Sequence, residues 1–103
     1  MADKHYWTWR GKYFGYRVGD DLFTHRGRHA GRFYGDEVYG VDGQYLGEEK
    51  NDGRLITNKS KQARKKGSIA RRRGASYVKY VNYVGYVMYA GHEDFPGPQE
   101  FVP

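Results

Sequence analysis

At 103 residues with a formal net charge of +6, the chain is long enough for one small domain with a modest core. It contains no cysteine, which excludes disulfide staples and cysteine-metal sites. No window approaches eighteen apolar residues, so no spanning helix is expected, and the default expectation is a cytoplasmic protein.

Aromatic residues make up 17% of the chain, eleven of them Tyr, and fifteen glycines accompany only three prolines. That mixture suits strands joined by tight turns. The charge is unevenly placed: from Arg54 to His92 there are ten Lys or Arg and no acid, and all twelve acids lie outside that segment.

In chain order, three units of sixteen residues follow one another at 6–21, 22–37 and 38–53. Gly11, Gly27 and Gly43 are equivalent, as are Gly15, Gly31 and Gly47, and Asp20, Asp36 and Asp52. Arg10-Gly11, Arg26-Gly27 and Asp42-Gly43 read as two-residue hairpin turns. Gly19-Asp20, Gly35-Asp36 and Asn51-Asp52 read as a second set of reversals. Each unit is therefore expected to be a β-hairpin. With the turn at residues 10–11, Trp7 faces Phe14, Phe23 faces Ala30, and Tyr39 faces Leu46. One pair outward, Tyr6, Leu22 and Val38 cover Gly15, Gly31 and Gly47, which suggests close backbone approach there.

Leu55-Ile56 opens a fourth unit after one extra residue, but NKSKQARKKGSIARRRGAS replaces the return. NYVGYV, from Asn82 to Val87, resembles KYFGYRV, so the fourth hairpin is read as split, 54–58 plus 82–90, around a flexible basic insertion at 59–76. Residues 91–103 are read as a tail. Four hairpins supply about eight strands, enough to close an all-β barrel and remove its edges. The expected core includes Trp7, Phe14, Phe23, Tyr39, Leu46, Ile56 and Val84. The tandem GRHAGRFYGDEVYGVDGQYLGE with the ending YVGYVMYAGHEDFP resembles the four-fold β-flower family. That resemblance implies a shallow, pseudo-four-fold antiparallel barrel with radiating hairpins, and brings no activity or catalytic residues.

The insertion is the first candidate site. Lys59, Lys61, Arg64, Lys65, Lys66, Arg71, Arg72 and Arg73 could hold phosphates by counterion release. Nucleic acid is the leading partner, and an anionic lipid surface offers the same chemistry; the bland alternative is a solvated loop. In YVKYVNYVGYVMY, Tyr recurs every third residue, a period that fits neither strand nor α-helix. Tyr77 and Tyr80 could stack bases, although burial is the commoner fate of such rings.

Near-symmetry also groups Tyr13, His29, Tyr45 and Tyr83 in one slot, candidates for an axial ligand pocket. Tyr16, Arg32, Glu48 and Tyr86 share another slot. His25 and His29 flank a hairpin turn, and their equivalents (Trp9 and Val41, Tyr13 and Tyr45) cannot bind metal, so no metal or other cofactor is expected. Asp20, Asp21, Asp36, Glu37 and Asp52 recur at turns and read as loop caps. With no Ser-His-Asp set, P-loop or zincin motif, the expectation is a non-enzymatic binding module. A small-ligand binder and a protein-interaction domain are the alternatives.

Overall fold

A computed structural model describes residues 3–101. The strands are β1 (Lys4–Thr8), β2 (Tyr13–Val18), β3 (Asp21–Thr24), β4 (His29–Tyr34), β5 (Glu37–Gly40), β6 (Tyr45–Lys50), β7 (Arg54–Asn58) and β8 (His92–Asp94). Each pairs antiparallel with its chain neighbour, and a parallel pairing of β1 with β7 closes the sheet. The result is a seven-stranded barrel with β8 added against β7.

The repeat builds three hairpins, β1–β2, β3–β4 and β5–β6. Tyr6 lies opposite Gly15, Leu22 opposite Gly31 and Val38 opposite Gly47, as expected. The inner pairs differ: Trp7 faces Tyr13, Phe23 faces His29 and Tyr39 faces Tyr45. A bulge in each hairpin leaves Phe14, Ala30 and Leu46 as the extra residue. The inner turns are also one residue longer than expected. Thr8, Thr24 and Gly40 donate to the carbonyls of Lys12, Arg28 and Gln44, so each loop has three residues. Its last is Gly11, Gly27 or Gly43, with φ between +88° and +95°. This is the three-residue hairpin loop that ends in a left-handed residue.

Strand glycines serve close approach. A Cβ on Gly15, Gly31 or Gly47 would collide with the carbonyl of Phe23, Tyr39 or Ile56 on the next strand. Inside the barrel, Tyr6, Phe14, Leu22, Ala30, Phe33, Val38 and Leu55 form the core with Phe95, and Leu46 and Phe101 pack against it. Phe95 and Phe101 meet Phe14 edge-on, at 5.3 and 5.6 Å between ring centres. Of the expected core, Phe14, Phe23, Tyr39 and Ile56 are buried, Trp7 and Leu46 are partly buried, and Val84 is 87% exposed.

Val84 fails because residues 82–90 contain no strand. The partner of β7 is β8, at His92–Asp94. Nor is the insertion a free loop. After a short 3-10 turn at Lys59–Lys61, the chain runs extended around the barrel as a belt and meets the three inner turns in reverse order. Lys66 N–H donates to the Gly43 carbonyl, Gly74 N–H to Gly27 and Tyr83 N–H to Gly11. Those turn glycines leave no room for a side chain: a Cβ on each would strike the belt backbone at Lys66, Gly74 or Tyr83.

The belt explains the tyrosine spacing. Three residues per turn is the period of an extended polyproline-type helix, which places every third side chain on one face. Tyr77 stacks on Tyr16, Tyr80 on Tyr13 and Tyr83 on Trp7, while Tyr86 and Tyr89 pack on Trp9. Successive strand residues face opposite ways, so the repeats bury two aromatic layers, one inside the barrel and one beneath the belt.

Candidate polyanion-binding groove

The basic residues of the insertion divide into two groups. In the first, Lys61 reaches Glu48 at 2.7 Å and Glu37 at 3.0 Å, and Arg64 reaches Glu37 at 2.9 Å. Hydrogen bonds to those carboxylates raise the Lys61 pKa, and the bond from Lys61 is the main cause that lowers that of Glu37. Lys66 lies over Tyr34 and Tyr39, 4.9 and 5.1 Å from their ring centres. Lys61, Arg64 and Lys66 thus clamp the belt onto the third hairpin. Lys59 and Lys65 are exposed and make no ion pair among the described residues.

The second group converges. Arg71 donates to the His29 carbonyl at 2.8 Å, and Arg72 contacts Asp21 at 3.2 Å. Arg73 forms a backbone bridge with Arg28, at the inner turn of the second hairpin. Gly27 and Gly74, which cannot carry side chains there, let belt and turn close up. The outcome is a cavity of about 650 Å³ lined by Arg26, Arg28, Arg71, Arg72 and Arg73, with Thr24, Gly27, Gly74, Pro98 and Phe101 completing its walls. No acid lines it. Among the described residues Arg26, Arg28 and Arg73 form no ion pair.

Two smaller depressions extend this cavity. One, of about 260 Å³, shares Thr24, Arg26 and Pro98 and adds Lys12, His25 and Lys79. Burial, and then the neighbouring Arg26, Lys79 and Lys12, push His25 below the usual imidazole value. The other, of about 510 Å³, shares Arg72, Arg73 and Gly74 and is walled by Tyr16, Phe23 and Tyr77. Its single acid, Asp21, is contacted by His29, Arg32 and Arg72. Three adjoining depressions that share lining residues therefore form a basic track from the first hairpin turn, past the second, to an aromatic wall.

The ring expected to line an axial pocket does not assemble. Tyr13, His29 and Tyr45 are each buried with a partner of their own. Tyr13 OH bonds His5 Nδ1 at 2.8 Å, and Tyr45 OH donates to Glu48 at 3.1 Å. His29 Nε2 contacts the Gly31 carbonyl at 3.0 Å and Asp21 at 3.1 Å. Tyr83 stands on the belt, half exposed, over Trp7. Of the stacking candidates, Tyr77 lines the track, whereas Tyr80 lies between His5 and Tyr13 and lines none of its three parts. Among the described residues, no three His, Cys, Asp or Glu side chains gather where they could hold a metal ion.

Sequence reasoning missed Lys12, Arg26, Arg28 and Lys79. A signal was present in the turns: Arg26-Gly27-Arg28 and Arg10-Gly11-Lys12 are basic where the third unit has Asp42-Gly43-Gln44. No family model, curated protein or solved structure matches the chain.

Proposed function

We propose that the protein is a non-enzymatic binding module for a polyanion, nucleic acid first, and that the partner lies along the arginine-lined track. The observation that carries this reading is the Arg28–Arg73 bridge. Like charges set directly opposite one another destabilise a pairing, and no acid lines the cavity they share. An anionic partner would neutralise both. Arginine suits the task because its planar fork bonds phosphate oxygens in pairs.

The site also narrows the original eight-residue candidate. Arg71, Arg72 and Arg73 contribute, joined by Arg26, Arg28, Lys12 and Lys79, while Lys61, Arg64 and Lys66 fasten the belt. Tyr77 stands at the aromatic end of the track, where a base could approach. Membership of the β-flower family and a cytoplasmic setting belong to the same proposal. Among the described residues, no helix is long and apolar enough to cross a membrane.

The test is fluorescence anisotropy with single- and double-stranded oligonucleotides at two salt concentrations. Wild type should bind in a salt-sensitive manner, and R28Q/R73Q should weaken binding and lower the salt slope by roughly 1–2. Absence of salt-dependent binding to either oligonucleotide rejects the nucleic-acid reading. One observation favours a second reading: the central cavity, about 650 Å³, falls in the range of small-ligand sites. A compact multiply phosphorylated ligand that binds while oligonucleotides do not would support it.

A further inference from the structure

The aromatic end of the track is a cleft of about 510 Å³ that shares Arg72, Arg73 and Gly74 with the central cavity. Tyr77, Tyr16 and Phe23 follow one another along its wall, 4.4 and 5.4 Å apart between ring centres. Val18, at the end of β2 and 37% exposed, stands at the same cleft. Apolar surface beside two guanidinium groups suits a flat heterocycle carried on a phosphate. The ring packs on the aromatic wall, stacked or edge-on, and the phosphate meets the arginine forks. Bases within a duplex are paired and stacked on one another, so one enters a cleft only by swinging out of the helix. An unpaired base is free to do so.

The cleft also holds one carboxylate, Asp21, whose side chain is 13% exposed. Its Oδ1 meets His29 Nε2 at 3.1 Å and Arg32 Nε at 3.4 Å, whereas Oδ2 meets Arg72 Nε alone, at 3.2 Å. A carboxylate oxygen offers about two acceptor sites, so among the described residues Oδ2 keeps one unfilled. The neighbouring Tyr16 hydroxyl is already committed, donating to the Ala75 carbonyl. Arg32 and Arg72 offset the charge of Asp21, so a phosphate beside the base is not driven away.

The geometry points to one unpaired base with an exocyclic amino group as the occupant of this cleft. Its amino hydrogen bonds Asp21 Oδ2, and its flanking phosphates lie on Arg72 and Arg73. The inference rests on the polyanion reading and narrows the partner to single-stranded nucleic acid. Asp21 then selects among bases, because a carboxylate only accepts. Cytosine presents an amine where uracil and thymine present a carbonyl, and a carbonyl would leave two acceptors facing one another.

Anisotropy titrations with short labelled oligonucleotides, at neutral pH and one salt concentration, test the inference. Wild type should bind a single strand about tenfold more tightly than the same strand in a duplex. It should bind oligo(dC) about tenfold more tightly than oligo(dU), which differs on the pairing edge of the base. D21N should bring the two homopolymers level, with unchanged far-UV circular dichroism verifying its fold. If D21N does not fold, the two wild-type comparisons decide the matter by themselves. Duplex bound as tightly as single strand, or oligo(dU) as tightly as oligo(dC), overturns the inference and leaves the polyanion reading standing. A cytosine preference that survives in folded D21N overturns it too. Absence of salt-dependent binding to every oligonucleotide overturns both.

Discussion

Gly27 shows how much one residue without a side chain can position. Its φ of +88° suits glycine, and a Cβ there would also strike the Gly74 carbonyl of the belt. Gly35 at an outer turn has φ of +64° but open space around it. G35A should therefore cost about 1 kcal/mol from backbone strain alone. G27A should cost about 1–3 kcal/mol more, because the belt must move. Thermal unfolding of the two variants separates the effects, and equal melting temperatures would show that the belt does not press on the turn.

His29 makes a second argument at this scale. Its ring is wholly buried, Nε2–H points at the Gly31 carbonyl and Asp21, and Nδ1 accepts from Arg72 N–H at 2.9 Å. Burial outweighs the nearby Asp21 and lowers its pKa below the ordinary 6.5. The unfolded chain therefore takes up the proton first as pH falls. Stability from His29 should be fully present above pH 6.5 and decline below it, as the folded protein is forced to protonate or release Arg72. H29N should flatten that slope in denaturant titrations at pH 5 to 8. An unchanged slope would assign the dependence elsewhere.

At the scale of elements, the belt does for the outside of the barrel what the core does for the inside. A strand buries one of its two faces with period two; the belt buries one of three with period three. Trp7 and Trp9 are the only tryptophans, and both lie beneath belt tyrosines with their indole N–H groups bonded to belt carbonyls. Intrinsic fluorescence thus reports docking directly. Y86A should uncover Trp9, now 1% exposed, shift its emission to the red and cost about 1–3 kcal/mol. Emission that stays blue would mean that Tyr89 alone shields the indole. The same packing means that deletion of 59–76 would disturb the fold together with the groove. It would remove Lys61, Arg64 and Gly74 contacts along with the arginines.

For the whole molecule, the decisive feature is the seam. Six antiparallel pairings join sequence neighbours around the barrel, but closure depends on Trp7↔Arg54 and Thr8↔Leu55, in parallel. Gly53 supports it, accepting from Trp7 N–H at 2.9 Å. Closure removes exposed strand edges, which otherwise template aggregation. A chain lacking residues 1–8 would leave β2 and β7 open and uncover the core where Tyr6 sits. It should aggregate or lose cooperative unfolding in calorimetry. A truncated chain that melts in one sharp, reversible transition would show that the seam is dispensable.

The sequence by itself determined what depends on neighbours along the chain. The glycine and turn-residue recurrences defined three hairpins, and the outer pairs Tyr6–Gly15, Leu22–Gly31 and Val38–Gly47, counted from a two-residue turn, hold because the extra loop residue and the bulged residue offset each other. The basic run around Arg71–Arg73 was equally plain. Tertiary structure alone decided what depends on distant segments meeting. The inner register shifted because each turn closes as a three-residue loop, and the bulges at Phe14, Ala30 and Leu46, which local propensity does not specify, restore it one pair further out. NYVGYV copied a strand motif yet became belt, since its period of three matched the barrel's outer aromatics better than its composition matched a sheet. Arg26 and Arg28 joined the candidate groove only when the belt passed Gly27. A site assembled from a turn and a segment more than forty residues later has no local signature, because its charges become neighbours only on folding.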